Sequence, residues 1–84
     1  MNHEMFKKVR EHIRQEISSI SYKTWIHPLM LGEVKEDEII ILIPKYMSHV
    51  VSFIEVKHKD TYKNAINQVC GMDYNVTFKL IENA

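Results

Sequence analysis

Apolar side chains near the amino terminus recur at spacings of three and four residues. The stripe consists of Phe6, Val9, Ile13, Ile17 and Ile20. Charged residues fill most of the positions between them, which is the pattern of a helix with one buried face. We therefore predict an amphipathic helix from Met5 to Ile20.

A second, shorter helix is predicted after a pair of serines. Ser18 and Ser19 interrupt the first helix. Ser21 is expected to be the N-cap of the next helix, because a serine oxygen accepts a hydrogen bond from a free backbone N–H. The apolar positions of this second helix are Tyr22, Trp25, Ile26 and Leu29, with Pro28 near its end. Two helices are therefore expected to meet at a short corner.

The next segment predicts a β-hairpin. Residues 31–34 form its first strand, the polar residues 35–37 form its turn, and the β-branched run 39–43 forms its second strand, which Pro44 ends. The second strand is apolar on both faces. We therefore expect it inside the sheet, or covered on both sides.

The last part of the chain predicts a long helix and a final strand. Neither glycine nor proline interrupts residues 46–70, whose apolar stripe weakens near residues 57–60, where any bend is expected. Gly71 is placed to end this helix in the left-handed conformation. The strand that follows has one inner face, made of Tyr74, Val76, Phe78 and Leu80. The predicted fold is α+β, in the order α-α-β-β-α-β, with a small three-stranded sheet packed against helices.

Composition and charge limit the classes of protein. Eighty-four residues, 45% of them hydrophobic, suit one small domain, and we predict a single domain over residues 1–84. Eleven basic residues balance eleven acidic ones, which disfavours tight DNA binding by this chain alone. The single cysteine forms no internal disulfide, and no signal peptide or membrane span is evident, so a cytoplasmic location is expected.

Candidate catalytic and metal-binding groups do not form a recognisable set. No histidine stands at a paired helical spacing with another histidine, and no carboxylate or thiol completes a ligand set, so no metal or other cofactor is predicted. Cys70 lies on the apolar stripe, where an inert packed thiol is the better interpretation. Asp37 and Glu38 fit a solvated turn, and the two glycines are too far apart for a phosphate loop. We therefore predict that the chain is not an enzyme.

Two further features indicate binding. The predicted element order is similar to that of KH-type nucleic-acid modules, although their G-x-x-G loop is absent. A basic group at Lys57, Lys59 and Lys63 allows weak contact with single-stranded nucleic acid, and a solvated helix face explains the same lysines about as well. At the other end, Met5 and Phe6 are large apolar residues near a terminus, where incomplete cover would create an interface.

Several of these segments together resemble one family. Residues 21–29, with Phe6 in the helix before them, resemble the aromatic-x-x-Trp signature of the amino-terminal domain of the bacterial replication initiator DnaA. The strand that ends at Pro44, the long helix, Cys70 with Gly71, and residues 76–78 follow in the family's order. The resemblance covers nearly the whole chain.

The resemblance implies a docking module for the replicative helicase, for regulators of initiation or for DnaA itself. It implies a partner-binding face at Ser21, Thr24, Trp25, Lys45, Met47 and Ser48. It also implies weak self-association as a homodimer through the aromatic position that Phe6 occupies, next to Met5. The alternatives left open are a freestanding regulator related to this domain and a weak binder of single-stranded nucleic acid.

Some positions depart from the family's usual residues. Ser21 replaces an acidic residue that assists helicase contact in some members, and Met47 replaces the usual phenylalanine. Lys45 replaces an asparagine that would cap the long helix. Residues 52–59 also differ, so no role is transferred to them. Because DnaA continues into further domains, the chain is expected to be either an excised domain or a freestanding relative.

Overall fold

The computed structural model describes residues 1–81, which form three helices and a three-stranded mixed sheet. The helices are α1 (His3–Glu16), α2 (Ser19–Ser21), which continues as a π-helical turn (Tyr22–Ile26), and α3 (Val51–Cys70), which follows a 3-10 helix (Lys45–Val50). The strands are β1 (Met30–Val34), β2 (Glu38–Ile43) and β3 (Asn75–Leu80). The predicted α+β class and element order are confirmed.

The corner between α1 and α2 differs from the prediction. The Asn2 side chain caps α1 by accepting a hydrogen bond from the Met5 N–H (2.9 Å), and the helix ends at Glu16 because Ile17 is extended. Ser18 then caps α2 by accepting from the Ser21 N–H (3.1 Å). The prediction that Ser21 is the cap was therefore wrong. The prediction that α1 extends to Ile20 was also wrong, because Ile20 lies in α2 with 78% of its surface exposed.

The hairpin and the interior position of β2 are confirmed. β1 and β2 pair antiparallel across a β-bulge between Leu31 and Val34, while β3 pairs parallel to the other side of β2. Along β2 the side chains alternate, with Ile39, Ile41 and Ile43 buried and the residues between them half-buried. One face of the sheet therefore carries the core and the other is partly open.

The long helix is divided at a different place from the one expected. The break lies at Val50, whose backbone is non-helical, so that a 3-10 helix precedes α3, and α3 runs without interruption past residues 57–60. The stripe does not weaken there because His58 takes up an apolar position and is buried. Gly71 ends α3 in the left-handed conformation (φ 69°), as predicted, and its N–H donates to the Asn67 carbonyl (2.8 Å).

The core lies between the sheet and the pair α1 and α3. At its centre is Tyr62, whose ring lies parallel to that of Phe6 (6.3 Å between centroids) and edge-on to that of Phe78 (5.9 Å). Burial raises the pKa of the Tyr62 phenol well above its usual range. Phe6 is only 4% exposed. The expectation of uncovered apolar area at Phe6 was therefore wrong, because α3 covers this side of α1. Its role in self-association stays a prediction.

Within residues 1–81, no helix is both long enough and apolar enough to cross a membrane.

Candidate docking surface

A shallow apolar pocket lies where the π-helical turn faces the 3-10 helix. It has a volume of about 210 Å³ and is lined by Thr24, Trp25, Tyr46, Met47, His49 and Val50. None of these side chains is a carboxylate, an ammonium or a guanidinium group. Together with Phe53, which contacts Trp25, these residues are called the docking surface below.

The π-helical turn sets the position of Trp25. The His27 N–H donates to the Tyr22 carbonyl five residues earlier (2.8 Å), so this turn holds one residue more than an α-helical turn. Ile26 is fully buried and fixes the turn to the core, which leaves Trp25 half-buried beside it. From α1, the Arg10 guanidinium donates to the His27 carbonyl (2.8 Å) and lies 3.0 Å from the His27 Nδ1. The segment that carries Trp25 is therefore held at several points.

A pair of aromatic rings forms one side of the docking surface. The rings of Trp25 and Phe53 are 4.7 Å apart between centroids and inclined by 47°. Phe53 is 45% exposed, and its other side meets the buried His58 ring edge-on at 6.3 Å. Tilted aromatic pairs at this separation attract one another beyond the gain from burial alone. The indole is therefore packed on one side against the Phe53 ring.

The 3-10 helix turns Met47 toward the core and leaves the residues on both sides of it exposed. Tyr46 is 73% exposed, whereas Met47 is only 5% exposed and belongs to the core. The Met47 N–H donates to the Pro44 carbonyl (2.9 Å), which ties the start of this helix to the end of β2. Met47 therefore forms the floor of the pocket, and Tyr46 offers the accessible apolar area.

The predicted partner-binding residues are only partly brought together. Thr24, Trp25 and Met47 line the pocket. Lys45 and Ser48 are exposed on the 3-10 helix without lining it, and Ser21 is half-buried in α2. Their roles in binding stay predictions.

Four residues of the docking surface were missed by the sequence analysis, namely Tyr46, His49, Val50 and Phe53. Tyr46 and His49 stand beside predicted residues, so an exposed aromatic among them was an available signal. Phe53 lies in the segment 52–59, to which no role was transferred. Its contact with Trp25 joins residues that are distant along the chain.

The three lysines considered for nucleic-acid contact do not form a single patch. Lys59 and Lys63 are four residues apart on α3 and share a side of the helix, whereas Lys57 points elsewhere. Lys63 lies 3.8 Å from the Asp73 carboxylate, which offsets part of its charge. Binding of single-stranded nucleic acid by these lysines stays a prediction.

Of the groups considered for other chemistry, Cys70 lies apart from the docking surface, whereas His49 is part of it. Cys70 is a half-buried free thiol at the end of α3. In the described part of the chain, no three side chains of the metal-binding types His, Cys, Asp and Glu come close enough together to hold an ion.

The known proteins that this chain matches all carry the name DnaA. Residues 3–70 match the family described as the DnaA N-terminal domain. Over 71 residues the chain is 31% identical to the chromosomal replication initiator protein DnaA of Lachnoclostridium phytofermentans, which covers 82% of this chain and 16% of that protein. Over 37 residues it is 35% identical to the DnaA of Gluconobacter oxydans, covering 44% of this chain and 8% of that protein. The chain thus spans a small part of the length of these relatives.

Proposed function

The chain belongs to the DnaA N-terminal domain family, and from this premise we propose that it is a protein-docking module of DNA replication initiation. Its partners are the replicative helicase or regulators of initiation, and it acts by binding without catalysing a reaction. The site of docking is the surface built around Trp25, Tyr46 and Phe53.

The observation that carries this proposal is accessible aromatic area held on a rigid support. Tyr46 and Phe53 are large side chains at 73% and 45% exposure. Tyr46 lines a pocket without fully charged side chains, and Phe53 contacts Trp25 in the lining of that pocket. Clustered tyrosine and tryptophan side chains that are poor in nearby charge are typical of the centre of protein interfaces. The Trp25 ring is packed against Phe53, and this contact reduces the side-chain ordering that partner binding requires.

Replacing Tyr46 tests the proposal without disturbing the core. Tyr46→Ser removes an exposed ring, so we expect an unchanged melting temperature and a loss of helicase binding by about thirtyfold or more, the size of a typical interface hot spot. Met72→Ser is the matched control, because Met72 is also exposed (50%) but lies beyond α3. Binding is measured by surface plasmon resonance against the helicase and the initiation regulators of the same organism.

The proposal is wrong if Tyr46→Ser and Met72→Ser bind each partner equally, or if the unaltered chain binds none of them. Met47→Glu is unsuitable as a test, since a buried methionine replaced by a carboxylate would unfold the core.

We propose in addition that weak self-association uses the outer side of α1. There Glu4, Lys7, Lys8 and Glu11 surround a shallow depression with charges of both signs, which suits pairing with a second copy. Met5 is half-buried on the same helix and supplies apolar area. Lys8→Glu should shift the concentration-dependent dimer toward monomer in sedimentation equilibrium, and an unchanged distribution would remove this part of the proposal.

A further inference from the structure

The free edge of β3 differs from the other edge of the sheet. In the described residues the strand order is β1-β2-β3, so β3 pairs on one side only. β1, at the opposite edge, is interrupted by a bulge between Leu31 and Val34, which disfavours the addition of a strand. β3 pairs with β2 in unbroken register from Asn75 to Leu80, without a bulge or a proline. It is therefore the edge that is regular enough to accept another strand.

The register determines which backbone groups this edge offers. The Asn75 N–H donates to the Asp37 carbonyl and the Ile81 N–H donates to the Ile43 carbonyl, both across to the β2 side. Because backbone groups alternate along a strand, those of Val76, Phe78 and Leu80 point away from β2. The free edge therefore presents hydrogen-bonding groups at regular spacing along the strand.

A groove runs along this edge, with α3 as its second wall. It has a volume of about 310 Å³ and is lined by Glu55, Val56, Lys59, Val76, Thr77 and Phe78, which define the edge groove. Val56 is 88% exposed, although it is apolar. A groove between a strand edge and a helix is the arrangement in which domains bind extended peptides by strand addition.

The wall of α3 also specifies the charges of an occupant. Glu55 and Lys59 are exposed, neither forms an ion pair with another described residue, and they lie one helical turn apart on either side of Val56. The four residues from Glu55 to Lys59 rise about 6 Å along the helix, close to the roughly 7 Å between alternate residues of an extended strand. Two alternate side chains of a bound strand thus reach Glu55 and Lys59 together.

The direction of α3 orders these charges. Lys63 lies near Asp73 and Tyr62 contacts Phe78, so α3 and β3 run in opposite directions. A strand bound antiparallel to β3 therefore runs in the direction of α3 and meets Glu55 before Lys59. We propose that the edge groove binds an extended peptide segment of a partner protein, with a basic residue followed two positions later by an acidic one.

This site is separate from the docking surface, since the two share no residue. It gives the domain a second means of contact that depends on backbone hydrogen bonds and charge order, whereas the docking surface depends on aromatic area. A separate partner can therefore occupy each of the two sites at the same time.

Two peptides of identical composition test the charge order. The probes are acetylated and amidated Thr-Val-Lys-Val-Glu-Val-Thr and its charge-exchanged form Thr-Val-Glu-Val-Lys-Val-Thr, titrated into the ¹⁵N-labelled chain. We expect the first peptide to bind about tenfold more tightly, because it forms two favourable charge pairs with Glu55 and Lys59, whereas the exchanged peptide forms two repulsive ones. The amide signals of Val76, Phe78 and Leu80 should shift, and their hydrogen exchange should slow.

Two controls distinguish strand addition from nonspecific binding of the peptide. N-methylation of the peptide's glutamate should abolish binding, because that N–H faces β3, whereas N-methylation of the central valine should not. The double variant Glu55→Lys with Lys59→Glu should reverse the preference between the two peptides. Both substitutions are at exposed helix positions, so an unchanged circular dichroism spectrum is expected.

Several outcomes would overturn the proposal. These are equal binding of the two peptides, no shift of the β3 amides at millimolar peptide, or shifts confined to the docking surface. If the β3 amides become protected with rising protein concentration and without peptide, the edge groove is an interface between two copies of this chain, and the peptide proposal is rejected.

Discussion

At the scale of a single residue, His58 connects the interior of the protein with the docking surface. It is 4% exposed, its ring nitrogens have no hydrogen-bond partner among the described residues, and its ring meets that of Phe53. Burial lowers the pKa of this imidazole below its ordinary value of 6.5, and the neighbouring Lys57 ammonium lowers it further. The folded protein therefore favours the neutral ring behind the Trp25–Phe53 pair.

The lowered pKa of His58 makes the stability depend on pH in a defined direction. Below pH 6.5 the unfolded chain binds a proton at this position more readily than the folded one. The free energy of unfolding should therefore fall as the pH decreases from 6.5 toward the folded-state pKa, and level off below that pKa. Urea unfolding between about pH 8 and pH 5 measures this dependence.

His58→Gln should remove this part of the pH dependence, because glutamine does not titrate. His49→Gln is the matched control, since His49 is exposed on the 3-10 helix. In this variant the free energy of unfolding should still fall as the pH decreases. If both variants retain the same decline in the free energy of unfolding, His58 is not its source.

At the scale of secondary-structure elements, the connection between α3 and β3 depends on the backbone conformation of one residue. Gly71 has a φ of 69°, and a Cβ added there would meet no heavy atom within 4 Å. A substitution at this position therefore tests the left-handed backbone alone, without a steric clash. The conformation reverses the chain so that β3 returns beside β2.

Gly71→Ala should lower the free energy of unfolding by about 1 kcal/mol, because a side chain disfavours the left-handed region. Gly71→Asn should cost less, since asparagine tolerates this region better. Thermal or urea unfolding distinguishes the two, and Asn64→Ala on the exposed side of α3 serves as the control. Equal effects of alanine and asparagine would contradict the conformational explanation.

At the scale of the whole molecule, the contact between α1 and α3 determines the role of Phe6. The Phe6 ring lies against Tyr62, which in turn contacts Phe78 in the sheet. This chain of rings joins both long helices to β3. Phe6 therefore belongs to the interior, and a substitution there acts first on folding.

Phe6→Ala should destabilise the fold by about 3–5 kcal/mol, the usual cost of removing a buried phenylalanine. The loss is measured by urea unfolding at a concentration where the chain is monomeric. Met5→Ala, next to it but half-buried, should cost much less. If Phe6→Ala instead leaves stability unchanged and abolishes a dimer in sedimentation, the interior assignment is wrong.

Periodicity predicted the elements well because it reports local geometry. The spacing in residues 6–17 indicated α1, the alternation in residues 74–80 indicated β3, and the single glycine at 71 indicated the helix end. Helix boundaries were less predictable. Both Ser18 and Ser21 are good cap residues, and in the folded chain it is Ser18 that accepts the capping hydrogen bond.

The sequence by itself determined the order of elements, the hairpin, the left-handed end of α3 and the resemblance that pointed to Trp25. Only the tertiary structure decided that Phe6 and His58 are buried, that Phe53 supports Trp25, and that Tyr46 is the accessible ring. The physical reason is that hydrogen-bonding periods act between near neighbours in the chain. Burial depends instead on which distant elements pack together, and no local pattern specifies that contact.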